Sequence, residues 1–184
     1  MVFSAITVLC YGSDVIDGIT YELDSVAKTA TVVSGEYHGD ILVIPDSVVD
    51  SSGNVYLVTA IGIGAMGSYR ATSVTLPASL NTIGVAAFSG CDSLKGISIP
   101  EGVTSIPEDA FNMCESLSYV KLPSTLLSIG EYAFFKCSSL ERISIPEGIT
   151  NIPMCAFFGC DSLSSVKLPS TLLSIGLCAF EGCI

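Results

Sequence analysis

The stretch LKGISIPEGVTSIPEDAFNMC, residues 94–114, decides how this chain folds, because its pattern returns at a fixed period of 23. A proline recurs at this period from position 77 to 169, an Ala-Phe pair from 87–88 to 179–180, and a cysteine from 91 to 183. Five coils therefore align without a gap. A fixed period of about 20 to 50 residues is typical of solenoids, in which each repeat is one turn of the stack.

Each coil predicts a short strand followed by tight turns. Leu94, Ile97 and Ile99 alternate with other residues as in a half-buried strand, and Pro100 ends it because proline has no N–H for the ladder. Residues 107–111 read as a short helical turn with proline in its first position. Because one coil cannot bury its own apolar face, the coils stack into a parallel sheet and a continuous core. We expect one buried aromatic column at Phe88, Phe111, Phe134, Phe157 and Phe180.

An irregular coil, residues 41–69, precedes the regular ones. It has Tyr69 in the cysteine position and an insertion around Val49 to Tyr56. A longer period of 46 lies over the first, since LSYVKLPSTLLSIG at 117–130 returns as LSSVKLPSTLLSIG at 163–176. The duplicated unit is therefore a pair of coils.

The repeated pattern LxxIxIPxxVxxIxxxAFxxC, read from Leu94 to Cys114, resembles the BspA-like leucine-rich repeats of bacterial surface and host-interaction proteins, of the Treponema pallidum type. The similarity covers about residues 41 to 184. Two further segments, DGITYELD at 17–24 and KTATV at 28–32, look like the β-hairpin that caps the solenoid in that family. The expected fold is a right-handed solenoid, mainly β with short helical or 3-10 turns, with a parallel sheet and an N-terminal hairpin cap.

This resemblance also predicts the organisation of the chain. Residues 1–40 are expected to form the N-terminal segment and hairpin cap, and residues 41–184 the solenoid, with a first coil at 41–69 followed by the five regular coils. No C-terminal cap is visible before Ile184, so we expect an open last coil, self-association through that coil, and a longer parent protein. The residues expected to be uncovered are Leu163, Val166, Leu168, Leu172, Ile175 and Phe180. An uncapped coil exposes strand edges and apolar side chains.

The function implied by the resemblance is adhesion without catalysis and without a cofactor. The protein would be secreted or at the cell surface and would bind a host matrix protein, another cell-surface protein or a glycan. The first alternative is a structural spacer in a larger surface protein, and the second is a thiol- or metal-binding protein.

Composition argues against two other classes of partner. Seven Lys+Arg against eighteen Asp+Glu give a formal charge of -11, which repels nucleic acid phosphates and anionic membranes. No apolar run reaches the roughly 18 residues of a membrane-spanning helix, so membrane insertion is not expected. The apolar start from Met1 to Cys10 fits either the tail of a secretory signal or an ordinary first strand.

The cysteines and the single histidine do not predict a chemical site. The repeated cysteines hold the same position in successive coils, so their side chains point the same way and do not face each other as a disulfide requires. We therefore expect them to be buried, reduced thiols. Cys155 forms a C-x4-C pair with Cys160, and Cys178 forms one with Cys183, a spacing that resembles a zinc site. Residues five apart on a helical turn point about 140° apart, which argues against a shared metal ion. His38 lies in a Gly-flanked polar turn with no nucleophile beside it, so no catalytic residue is predicted.

The residues between the buried positions should line the exposed face of the sheet. One column is Ser73, Gly96, Tyr119, Arg142 and Ser165, and the next is Thr75, Ser98, Lys121, Ser144 and Lys167. Four larger side chains gather on this face: Tyr119, Lys121, Arg142 and Lys167. Lys95 flanks them. They either keep an exposed sheet soluble or bind an acidic protein segment or a polyanionic glycan. In the second case the surrounding acidic residues would help to select the partner by charge pattern: Glu101, Glu115, Glu141 and Glu147.

Overall fold

The computed structural model describes residues 9–10, 15–16, 19–35 and 39–183. Within these residues the chain forms short strands joined by turns, and no helix is present. The strands are β1 Leu9–Cys10, β2 Val15–Ile16, β3 Ile19–Asp24, β4 Thr29–Gly35, β5 Ile41–Val43, β6 Ser47–Asp50, β7 Val55–Ile61, β8 Ser73–Thr75, β9 Thr82–Ile83, β10 Gly96–Ser98, β11 Ser105–Ile106, β12 Tyr119–Lys121, β13 Ser128–Ile129, β14 Arg142–Ser144, β15 Asn151–Ile152, β16 Ser165–Lys167 and β17 Ser174–Ile175.

A parallel six-stranded sheet runs along one side of the stack, in the order β5, β8, β10, β12, β14, β16. The register follows the period of the sequence, because Gly96 pairs with Tyr119 and Tyr119 pairs with Arg142. In the sheet strands β8, β10, β12 and β14, the middle residue points inward and is buried, as Ile97 and Val120 show. The predicted parallel-sheet solenoid is confirmed.

The Ala-Phe segments form tight turns in place of the predicted short helical turns. The Ala110 N–H donates to the Pro107 carbonyl, and the Asn112 N–H to the Asp109 carbonyl at 3.0 Å. Asp109 and Met113 have φ values of 56° and 58°. Single left-handed residues interrupt a right-handed helix, so each segment stops after one turn and its Phe111 N–H is free to donate to the next coil at Ala133.

Five stacked phenylalanine rings form the centre of the core. Successive ring centroids are 5.2, 5.4, 5.2 and 5.2 Å apart, with the planes within 5° of parallel. All but the last are fully buried, and Met66 holds the equivalent position in the irregular first coil. The predicted column, confirmed here, is Phe88, Phe111, Phe134, Phe157 and Phe180.

The repeated cysteines form a second ladder through the stack. Each thiol donates to a carbonyl in the preceding coil, as Cys114 Sγ does to Phe88 at 3.1 Å and Cys137 Sγ to Phe111 at 3.2 Å. Cys91, Cys114, Cys137 and Cys160 are buried, and Cys183 is partly buried. A small side chain that also donates a hydrogen bond satisfies a buried carbonyl, which gives this position a physical reason to be cysteine.

The N-terminal region joins the stack through a mixed sheet. Strands β3 and β4 form an antiparallel hairpin whose turn is held by Asp24 Oδ1, which accepts from the N–H groups of Val26 and Ala27 at 2.9 Å. Strand β4 then pairs in parallel with β7. The division of the chain at residue 40 stays a prediction. The start of the predicted signal-or-strand segment, residues 1–8, and His38 lie outside the described residues.

The insertion in the first coil forms a second hairpin. Strands β6 and β7 are antiparallel, with Val49 opposite Val55. Asp50 closes the turn by accepting from the N–H groups of Ser52 and Asn54, the Asn54 amide and the Tyr56 hydroxyl, at 2.8 to 2.9 Å. These hydrogen bonds, that from the Asn54 side chain foremost, lower the pKa of Asp50 to about 2.

The longer period of 46 has a structural cause in a clamp between the two coils of each pair. Glu101 accepts hydrogen bonds from the Ser124 N–H and hydroxyl, both at 2.8 Å. Glu147 accepts from the Ser170 N–H at 2.8 Å and hydroxyl at 2.7 Å. The glutamate of an IPEG coil therefore fastens the serine of the LPST coil that follows it, and the two coil types alternate.

The last coil is less buried than the others, but one expectation about it was wrong. Leu163, predicted to be uncovered, is buried in the common core. Val166, Leu172 and Phe180 are partly buried and pack against that core. Leu168 and Ile175 are exposed. The inner side of the coil is thus covered by the coil before it.

Candidate binding surface

The sheet register brings four of the five predicted site residues onto one face. Tyr119 and Lys121 project from β12, Arg142 from β14 and Lys167 from β16, and all four are exposed. Adjacent strands are about 4.8 Å apart, so these side chains lie within two strand spacings of one another. Lys95 is also exposed, immediately before β10, where its N–H donates to the Thr72 carbonyl at 3.0 Å.

Tyr119 leans over the gap that Gly96 leaves in the first column. A Cβ atom at Gly96 would lie 3.6 Å from both Cβ and Cδ1 of Tyr119. The tyrosine nevertheless stays 50% exposed. Beside it is a shallow depression of about 420 Å³, lined by Ser73, Val74, Thr75, Leu76, Gly96, Ile97, Ser98 and Tyr119.

Two exposed apolar residues extend the face at its N-terminal end, and the sequence reasoning missed them. Ile41 and Val43 on β5 pair with Ser73 and Thr75, so they continue the two columns. The step from β5 to β8 is longer than the regular period, because the β6–β7 insertion intervenes. The available signal was ILVIP at 41–45, which places a proline after the strand as the regular coils do.

Each cation on the face has an acidic neighbour, so the predicted basic patch is charge-balanced. The hydrogen bond from Ser124 is the main cause of a lowered pKa at Glu101, and Lys121 lowers it further. The pKa of Glu147 is lowered mainly by Ser170 and in part by Lys167. A 3.8 Å ion pair joins Arg142 to Glu141, and both side chains are largely exposed. The face presents alternating charges to a partner.

The repeat pattern settles the family. Residues 59–184 match six copies of the BspA type leucine rich repeat region. The chain belongs to the BspA-type leucine-rich-repeat family. The resemblance inferred from the repeated pattern is thereby confirmed, and the repeats of this family are in general protein-interaction modules.

Solved bacterial leucine-rich-repeat structures share the fold. A leucine-rich repeat protein from Bacteroides ovatus is 30% identical, with a TM-score of 0.58 over 89% of this chain and 55% of that one. The Treponema pallidum protein TpLRR is 25% identical, with a TM-score of 0.68 over 89% and 86%. One from Eubacterium ventriosum, 22% identical with a TM-score of 0.69 over 91% and 50%, shows the fold alone.

This BspA-type chain thus spans little more than half the length of the Bacteroides ovatus protein. No curated protein matches it. Across the part of the chain that the structure describes, no helix could cross a membrane. Within the same residues, no three His, Cys, Asp or Glu side chains converge as ligands for a metal ion.

Proposed function

We propose that this chain is a protein-interaction module of a secreted or cell-surface protein, and that it binds an acidic segment of a partner protein through the exposed face of the six-stranded sheet. Two kinds of support carry this proposal. The family's repeats are in general interaction modules. The sheet face holds exposed side chains on a fixed backbone, so little conformational entropy is lost when a partner binds.

The pairing of Tyr119 with Arg142 is the observation that carries the proposal. The two residues are register partners on adjacent strands, and both side chains are exposed. Tyrosine and arginine are enriched among the residues that dominate binding energy at protein interfaces. They lie on the fourth and fifth of the six strands, with Lys121 on the strand of Tyr119 and Lys167 on the strand beyond Arg142.

The chemistry of the partner follows from the groups around this pair. The ion pair between Arg142 and Glu141 is exposed, and such surface pairs contribute only about 0 to 1 kcal/mol. A partner carboxylate can therefore replace Glu141 and form a bidentate pair with the guanidinium group. The depression beside Tyr119 accepts an apolar or aromatic side chain of the same segment. The expected ligand is an extended acidic segment with one such side chain.

Surface plasmon resonance against a panel of immobilised matrix and cell-surface proteins tests this proposal. For a protein that binds the wild-type chain, we expect Tyr119→Ala and Arg142→Ala each to raise the dissociation constant by roughly tenfold or more. Arg70→Ala is the matched control, since it removes one exposed positive charge outside both columns and should change binding little.

The proposal fails if no protein in the panel binds, or if a binding protein does not distinguish the Tyr119→Ala and Arg142→Ala variants from the wild type. The first result would favour the structural spacer, and binding confined to a parallel glycan panel would favour a sugar ligand. Equal losses from Arg70→Ala and Arg142→Ala would show that net charge, and not the sheet face, controls the interaction.

A further inference from the structure

Apart from Cys10, two cysteines lie outside the cysteine ladder and form a pair of their own. Cys155 and Cys178 stand one period apart in adjacent coils, at the position that earlier coils fill with Ala86, Asp109 and Tyr132. Both thiols are partly exposed. Neither belongs to the core or to the sheet face, so the proposed function leaves them without a role.

The backbone holds these two residues in matching positions of adjacent coils. Their φ values are 52° and 55°, and the Cys155 N–H donates to the Leu177 carbonyl at 3.0 Å. Two residues further on, the rings of Phe157 and Phe180 stack at 5.2 Å. A coil spacing of this size gives a Cα separation of about 5 Å, inside the range that a disulfide spans, but because the two side chains leave the backbone in the same direction, both thiols must turn toward each other for the bond to form.

The coils approach closely just before the pair. A Cβ atom at Gly176 would lie only 2.6 Å from the Met154 nitrogen. The Cys178 thiol has the Glu181 carboxylate and the Cys155 thiol as neighbours, and both raise its pKa. The Glu181 contact is the main cause of a pKa raised to about 11 at Cys178.

The ladder thiols are in a different state. Cys160 Sγ donates to the Phe134 carbonyl at 3.2 Å, and Cys183 Sγ to the Phe157 carbonyl at 3.3 Å. Burial raises the pKa of Cys160 to about 12 and that of Cys137 well above its ordinary value. Thiolates are the reactive species, so Cys137 and Cys160 are protected both by burial and by weak acidity. The exposed pair lacks the first of these protections.

We propose that Cys155 and Cys178 form a reversible disulfide that links the last two coils in an oxidising environment. One thiol loses its proton and attacks a sulfur of a small-molecule disulfide such as oxidised glutathione, releasing one reduced thiol and leaving a mixed disulfide. The second thiol loses its proton and attacks the protein sulfur of that mixed disulfide, releasing the other reduced thiol. Two electrons thus pass from the protein to the small disulfide.

The link would fasten the least buried coil to its neighbour. The last coil has packing on one side only, whereas the coil that contains Cys155 has packing on both. A bond between the two turns restricts the unfolded chain and opposes opening of the last coil. A secreted or surface protein encounters the oxidising conditions in which such a bond persists.

Intact-mass measurement after equilibration of the reduced full-length chain with oxidised and reduced glutathione tests this proposal. We expect a loss of two hydrogens, about 2 Da, that dithiothreitol reverses. Trypsin cleaves after Arg142 and Lys167, so the bond should join peptides 143–167 and 168–184. Cys155→Ser and Cys178→Ser should each abolish the linked peptides, and the Cys160→Ser/Cys183→Ser double variant should retain them.

The melting temperature gives a second readout. It should be higher for the oxidised than for the reduced wild-type chain, and the two conditions should coincide for Cys178→Ser. Failure of peptides 143–167 and 168–184 to link at any glutathione ratio would overturn the proposal. So would linkage that survives Cys155→Ser but disappears in the Cys160→Ser/Cys183→Ser variant, because the ladder would then be the reactive pair.

Discussion

A middle coil and the last coil have almost the same sequence and very different burial. Residues 117–130 and 163–176 differ only in Tyr119 against Ser165. Ile129 is 6% exposed, whereas its counterpart Ile175 is 52% exposed. The difference cannot come from the residues themselves. It comes from the coil that follows the middle segment, so burial in this molecule is a property of neighbours.

Hydrogen bonding shows the same dependence on neighbours. In the middle of the stack, the Phe134 N–H donates to the Ala156 carbonyl of the following coil at 2.9 Å, and the Phe111 N–H to Ala133 at 2.8 Å. Stability in such a stack is close to a sum of coil and interface contributions. Changes in a middle coil should therefore disturb two interfaces, and changes in the last coil only one.

The largest expected difference between the two regions is at the phenylalanine column. Phe134→Ala should lower the free energy of unfolding by roughly 3 to 5 kcal/mol, because the emptied site has a stacked ring on either side. Phe180→Ala should cost clearly less, since Phe180 stacks on Phe157 alone among the described rings. Urea denaturation of both variants measures this, and equal losses would contradict the neighbour account.

Glycine substitutions should separate the regions next. A Cβ atom at Gly130 would lie 2.3 Å from the Glu108 nitrogen, so Gly130→Ala forces two backbones apart and should cost about 1 to 3 kcal/mol. Gly176→Ala meets a similar clash against Met154. Because it affects only the last coil, it should lower the free energy of unfolding of the whole chain by less than Gly130→Ala does. Gly96→Ala is the control, because its neighbours begin at 3.5 Å. A loss at Gly96 as large as that at Gly130 would count against this explanation.

The period made most of the fold predictable. Every coil repeats its apolar positions at one phase, so the sequence alone predicted the parallel sheet, the column through Phe134 and the buried phase of Cys137. The thiol-to-carbonyl bonds were not predictable, because the sequence does not show which backbone groups lack partners. Leu163 was misjudged because the prediction counted every apolar residue of the open last coil as uncovered, whereas the preceding coil covers this one.

The candidate surface was predictable in its columns and its charged residues but not in its ends or its hydrogen bonds. Strand alternation placed Tyr119 and Arg142 on one face without any structure. The insertion hid the contribution of Ile41, since it changed the spacing to the next strand. The contact between Glu101 and Ser124 joins two different coils and depends on side-chain conformation, so this hydrogen bond emerged only from the structure.

Self-association should distinguish the two regions more weakly. Leu127 and Leu173 hold the same phase and are both exposed, at 63% and 85%, but only Leu173 lies among the other exposed apolar residues of the last coil, Leu168, Ile175 and Leu177. We expect Leu173→Lys to weaken self-association by roughly tenfold, which corresponds to about 1.4 kcal/mol. Leu127→Lys should not change it. Analytical ultracentrifugation over a concentration series measures both, and a wild-type chain that stays monomeric throughout would refute the prediction.

The smallest effect should appear in the acid response of the two glutamate clamps. Glu101 fastens a middle coil through Ser124, and Glu147 fastens the last coil through Ser170; both have a folded pKa below the ordinary 4.5. A lowered folded pKa means that the clamp stabilises the fold above pH 4.5 and that this contribution is lost as the pH falls through the folded pKa.

In the middle coil other contacts hold the segment, whereas the last coil relies on one interface. Hydrogen-exchange protection between pH 7 and about pH 3.5 should therefore fall at residues 170–175 before it falls at 124–129. Glu147→Gln should weaken the last coil at neutral pH and remove most of this acid response, and simultaneous loss of protection in both segments would show that the clamps do not act coil by coil.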